Sequence, residues 1–272
     1  MKAPIKERLV VLRYKRIASA MYGALCVDLK QYLAKSLLDM QMSEERLYQP
    51  NVSFPAPPIG EKEPDWSQLK VSLDRPSRFW NAAHDRCIQL FRDCITINLI
   101  TKPNSSEESF KDLCAFFLRI VPFLKDHSKA FDELRFSLDY VNQFKGAQLD
   151  DFLEKDGDTL EVGKLINMPA LGPAIPGMSF RPPIEQHLNY GPDADAVPGS
   201  QNRVFVSISI PEPTAAKNWL VNVTFRAEPL RSANLLKDMD VSMVLSGMHE
   251  SVRSCFKNVF AAYARDKMEL SE

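Results

Sequence analysis

The chain has 272 residues, 45% of them hydrophobic and 25% charged, with a formal net charge of −1. That length supports one large domain or two small ones, and sixteen Phe with three Trp can fill a sizeable interior. The near-neutral balance argues against a broad phosphate-binding surface, which would carry a basic excess.

Residues 5–14, IKERLVVLRY, mix β-branched and aromatic residues with polar ones and predict a first strand. Six basic side chains fall within residues 1–16 (Lys2, Lys6, Arg8, Arg13, Lys15 and Arg16) against Glu7 alone. From Ile17 the pattern changes, and Met21, Leu25, Leu29, Tyr32, Leu33 and Leu37 predict an amphipathic helix over 17–40. Pro50, Pro55, Pro57, Pro58 and Pro64 then predict an extended connector, with Val52–Phe54 able to pair at a sheet edge.

Periodicity alone leaves 78–100 open between helix and strand. The alternation and β-branching of CITINLI at 94–100 favour a hairpin over 85–100 that turns at Arg92 and Asp93. Ser105 with Glu108 fits a capping box. The stripe Phe110, Leu113, Cys114, Phe117, Leu118 and Val121 then predicts a helix ending near Pro122. Residues 133–144, ELRFSLDYVNQF, alternate as a strand. A short acidic helix near 148–154 and a strand at 159–166 follow, and residues 149–161 carry six acids (Asp150, Asp151, Glu154, Asp156, Asp158 and Glu161) against Lys155 alone.

Residues 168–201 hold seven prolines and four glycines and predict a long irregular segment, of the kind that is functional or disordered. Strands at 203–210 and 219–227 come next, the second with Trp219, Val221, Val223 and Phe225 on one face. The last element is a helix carrying Val241, Val244, Leu245, Met248, Val252, Phe256, Val259, Phe260 and Tyr263, with Asp238 and Asp240 as caps. The expected fold is α+β, with antiparallel strands in one or two sheets and helices on one face. Two related lobes, 1–146 and 147–272, fit this order, as does one continuous domain.

Several segments resemble a sporadically distributed family of uncharacterised bacterial proteins. Pro4-Ile5-Lys6-Glu7 resembles its Pro-Ile-x-Glu start, and RCIQLFRDCITINL at 86–99 its hairpin. LRFSLDYVNQF at 134–144 is similar to its most recognisable strand, and Met248-His249-Glu250 to its terminal helix. Asp139 stands where the family usually has arginine, and Gln143 where a basic residue is common. The resemblance supports the hairpin, transfers no catalytic residue, and implies a setting in antiviral defence.

Chemical motifs are sparse. Cys26, Cys87, Cys94, Cys114 and Cys255 form no CxxC pair, so reduced structural thiols are expected. His84, Cys87 and Cys94 would be separated by a hairpin, and His249-Glu250 lacks the second histidine of a zinc-protease helix because position 253 is Arg253. His249 is expected to be capped or to face a sheet. Asp156-Gly157-Asp158 reads as a turn rather than a calcium loop. No GxGxxG, GxxxxGK or GxSxG occurs, so no catalytic, cofactor-binding or metal residues are assigned. No apolar run reaches the roughly 18 residues of a membrane span, and the short run Leu9–Leu12 cannot form a signal-peptide core, so the cytoplasm is expected.

The expected function is binding to another protein, as a scaffold or accessory component of antiviral defence. The 168–201 segment would supply contacts through Met178, Phe180, Ile184, Leu188 and Tyr190. One alternative is nucleic-acid binding through Arg8, Arg13, Lys15 and Arg16, and another is an enzyme without a recognisable motif.

Overall fold

The computed structural model describes residues 5–46, 49–53, 70–74, 76–100, 108–131, 134–154, 159–167, 184–190, 202–211, 219–229 and 241–267. Strand β1 (Ile5–Arg13) leads into α1 (Ser19–Ser36), which buries Leu25, Leu29 and Leu33 at four-residue spacing. Met21, expected on that stripe, is exposed. After a turn of 3₁₀ helix come β2 (Ser43–Arg46), β3 (Gln49–Ser53) and β4 (Lys70–Asp74). Strands β3 and β4 pair as a separate ribbon that includes Val52 and Ser53, not as an edge of the larger sheet, and Phe54 lies outside the described residues.

Strand β5 (Ser77–Trp80) precedes the hairpin of β6 (Arg86–Leu90) and β7 (Cys94–Ile100). The hairpin expected over 85–100 is therefore present, with bends at Arg92 and Asp93. Its turn clamps the end of β1. The Tyr14 amide donates to the Asp93 carbonyl at 2.9 Å, and Arg92 donates through Nε and Nη2 to the Ile17 carbonyl at 3.0 and 2.9 Å.

Helix α2 (Glu108–Leu118) buries Phe110, Leu113, Phe116 and Phe117. Pro122 begins rather than ends a helix, because it lies in the first turn of α3 (Val121–Asp126), where its missing amide has no partner to lose. Ser105 and the rest of 101–107 lie outside the described residues. Strand β8 (Arg135–Lys145) follows, and Gly146 then takes a left-handed φ of 54° into two 3₁₀ turns, Gly146–Gln148 and Asp150–Phe152, in place of the expected acidic helix.

The strand expected at 159–166 is corrected. Leu160 and Ile166 make single bridges to different partners, Leu153 and Phe260, and the residues between form the short helix α4 (Val162–Leu165). A short apolar run reads the same in either state, and here separated partners prevent a ladder. The Asp156-Gly157-Asp158 turn lies outside the described residues.

Within 168–201, Ile184–Tyr190 is corrected from irregular chain to a strand, β9, because it pairs along its whole length with β10 (Asn202–Ile210). Strand β11 (Leu220–Pro229) and helix α5 (Val241–Val259) complete the expected order. A break at Phe260 separates α6 (Ala262–Lys267), so Tyr263 belongs to a second helix. The proposed caps Asp238 and Asp240 lie outside the described residues.

The fold is α+β. Nine strands form one antiparallel sheet in the order β2-β5-β6-β7-β1-β8-β11-β10-β9. Strand β8 joins β1 to β11, so this sheet runs without interruption across residue 146. Val10, Leu138, Ile97, Val223 and Val206 line one face, and the described helices pack there. Phe225 stacks on Phe256 of α5 at 4.2 Å, and Phe117 of α2 stacks on Phe136 at 5.7 Å. The opposite face carries none of the described helices, yet Val11, Cys87, Asn98, Ser137 and Asp139 on it are buried; it is termed the open face for the absence of described helices alone.

Candidate functional site

Two polar clusters stand out, one on each face of the sheet. Cross-strand register builds the first, because paired residues share a face. Across the open face run Trp80, Cys87, Asn98, Leu9, Asp139, Arg226 and Phe205, each the partner of the next on a neighbouring strand. This row is tightly enclosed at its centre: Asn98 is 4% exposed and Asp139 3%. Arg226 donates through Nε and Nη2 to Asp139 Oδ2, both at 2.9 Å. Asn98 donates its amide to the Glu7 carboxylate, Arg13 donates to Ser137 Oγ at 3.3 Å, and Gln143 donates to Asn222 Oδ1 at 3.1 Å. On this face Asn98 Oδ1, Asp139 Oδ1, Thr96 Oγ1 and Arg78 Nε find no partner among the described residues.

The second cluster lies between sheet and helices. Arg8, 3% exposed, sits over the Tyr140 ring at 5.3 Å and hydrogen-bonds its hydroxyl. That hydroxyl lies 2.6 Å from His249 Nδ1, and Phe110 stacks on the imidazole at 4.0 Å with an 11° tilt. Burial pushes the Tyr140 phenol well above its ordinary range, against the opposing pull of Arg8. His249 thus faces the sheet, as one of the two sequence readings expected. Beside it, Arg86 of β6 reaches Asp112 of α2 at 3.9 Å. The group has acid-base residue types, yet it is packed between layers, where it ties α2 and α5 to β1 and β8.

The four basic residues expected to bind phosphates divide between environments. Arg8 points into the helix-covered layer, Arg13 is half-buried on the open face, and Lys15 and Arg16 are exposed beyond the strand. Of the five apolar residues expected at a partner contact, Met178 and Phe180 lie outside the described residues. Ile184, Leu188 and Tyr190 pair with Ile210, Val206 and Val204, which face the helices, and Leu188 packs against the core. Leu188 therefore continues the inner layer at the sheet's edge.

His84 adopts a left-handed φ of 51° in the β5–β6 turn, with its ring 5.6 Å from Trp80. Cys87 is buried in β6 and Cys94 half-buried in β7. All five cysteines are free, and burial pushes the thiols of Cys87 and Cys255 up to about 12. Among the described residues no group of three metal-ligating side chains comes together. No described helix is long and apolar enough to cross a membrane.

Sequence reasoning missed the Asp139–Arg226 pair and the Tyr140–His249 contact. The partners lie 87 and 109 residues apart in the chain, and no local pattern encodes such a meeting. The only signal available was a charge, Asp139, in the middle of an otherwise apolar strand.

No protein-family model matches the chain, and no curated protein matches it. Among solved structures, the comparison gives the Diels Alderase AbmU from Streptomyces koyangensis, at 10% identity over 89% of this chain and 95% of that one. Its TM-score of 0.12 is too low to carry an argument.

Proposed function

We propose that this protein binds another protein, without catalysis, through the open face of its nine-stranded sheet. The observation that carries this reading is the one-sided packing: the described helices share one face, while on the other Phe205, Ser207, Thr224 and Arg226 of β10 and β11 are left half-buried. The mixed signs on this face favour a protein over a phosphodiester backbone. Glu7, Glu45 and Asp139 stand among Arg13, Arg78 and Arg226, so the described residues form no continuous basic track.

Strand β9 adjoins this surface, since Glu185 and His187 pair with Ser209 and Ser207 of the open face. Strand β9, the described part of the 168–201 segment, thus contributes the rim of the contact. The defence setting rests on the family resemblance alone.

Photocrosslinking residues introduced at Ser207, Thr224 and His187 test the reading against controls at Lys30 and Met243 on the helical side. Crosslinks to the same host protein from the first set only are the expected result. Equal crosslinking from both sets, or none from the open face, overturns it.

A further inference from the structure

The two edges of the nine-stranded sheet are unlike. At one end stands β2, four residues long, with Glu44, Glu45 and Arg46 in SEER. Short length and charge are the usual guards of an edge, because each keeps a further strand from pairing there. At the other end stands β9, seven residues long, whose sequence IEQHLNY carries one carboxylate and one imidazole. Among the described residues β10 is its only strand partner. An antiparallel strand bonds each neighbour through alternate residues, so the side of β9 turned from β10 holds a second row of amides and carbonyls. Solvent reaches this strand. The side chains of Glu185 and His187 are 74% and 70% exposed, and stand 3.8 Å apart on the open face. Pro182 and Pro183 precede the strand and, lacking amides, limit any ladder at that end.

We infer that β9 pairs antiparallel with β9 of a second copy of this chain, extending the sheet across a two-fold axis normal to it. Such an axis keeps the helical layers of both copies on one side, and it demands that the strand be complementary to itself. In the register centred on Gln186, the strand meets that demand. Glu185 comes opposite His187 of the second copy, and His187 opposite Glu185 of the second copy, which gives two reciprocal carboxylate–imidazole pairs on the exposed face. Ile184 and Leu188 come opposite each other twice, at positions that share the face of the helices, and Gln186 meets its own copy. Centring the pair on His187 would instead set imidazole against imidazole and leave each Glu185 opposite Asn189. A net charge of −1 puts little long-range repulsion between two copies. One strand pair buries less than the roughly 1,200 Å² of a stable interface, so dimerisation should be weak, with a Kd on the order of 0.1 mM. The inference concerns the edge of the sheet, so it goes beyond the open-face reading and does not rest on it.

Sedimentation equilibrium of the purified full chain, over concentrations spanning that Kd, tests this. A reversible monomer–dimer equilibrium is expected, with amide exchange in β9 slowing as dimer forms. His187→Glu and Glu185→Lys should each weaken association at least about tenfold by breaking both reciprocal pairs, and an equimolar mixture of the two variants should restore it, because each then supplies the charge the other needs. His187→Lys, which fixes the positive charge, should retain the dimer. Both side chains are exposed, so these variants leave the core intact. A chain that stays monomeric throughout, or a dimer unchanged by either substitution, overturns the inference, as do single-variant losses that the mixture fails to restore. Because the purified chain alone decides this, such a failure leaves the open-face reading to its own crosslinking test.

Discussion

The Tyr140 hydroxyl and His249 Nδ1 lie 2.6 Å apart, joining the middle of β8 to the middle of α5. The hydroxyl and the imidazole share one hydrogen, and Arg8 bonds to the same phenol oxygen. Tyr140→Phe removes the hydroxyl from both contacts, and should cost about 1–3 kcal/mol. A double-mutant cycle with His249→Leu, measured by urea unfolding, should give a coupling of about 1 kcal/mol. Simple additivity of the two substitutions would show that the contact holds nothing together.

The Asp139–Arg226 pair should respond asymmetrically. The Asp139 side chain is 4% exposed and that of Arg226 39%. Arg226→Ala leaves an enclosed carboxylate without its cation, a loss of about 2–4 kcal/mol. Asp139→Ala leaves a guanidinium that water can reach, so it should cost less. Unfolding midpoints for the two variants check this order, and the reverse order would place the desolvation penalty on the arginine.

Raising pH should destabilise the fold. Burial pushes the Cys87 and Cys255 thiols up to about 12, and those of Cys94 and Cys114 up to about 11. In the unfolded chain a thiol ionises near 8.5, so above that pH the unfolded state gains by losing protons that the folded state retains. Stability from these groups is complete below about pH 8.5 and is lost as pH climbs towards 11–12. Each fully buried thiol should contribute a loss of roughly 2 kcal/mol by pH 10. Urea midpoints at pH 7 and pH 10 measure the effect, and Cys87→Ala should flatten the slope. A native protein whose Cys87 and Cys255 react readily with a thiol reagent at pH 8 would contradict this account.

Tyr22 anchors α1 to the sheet by two backbone contacts. Its hydroxyl donates to the Leu90 carbonyl at 3.0 Å and accepts the Ser77 amide at 2.8 Å. Tyr22→Phe should therefore cost about 1–3 kcal/mol while leaving the far side of the sheet intact. Amide exchange should quicken at Ser77 but stay unchanged in β10 and β11, and uniform acceleration would argue against a local anchor.

The sequence by itself determined elements whose local pattern has one solution. CITINLI alternates and is β-branched, so the hairpin of β6 and β7 follows from composition. The apolar stripe of α5 repeats too regularly for any other element, and Val221, Val223 and Phe225 already assign one covered face to β11. Tertiary structure decided what each face meets. Arg8 reads as a surface charge in IKERLVVLR, and it is enclosed only because β1 lies between β7 and β8 beneath the helices. Ile184–Tyr190 reads as irregular chain among prolines until β10 supplies its ladder. Asp139 finds Arg226 through the register of β8 with β11, two strands that are distant in the chain. Periodicity encodes which side of an element is buried, but it carries no record of the neighbouring strand, and the pairing of polar groups depends on that neighbour.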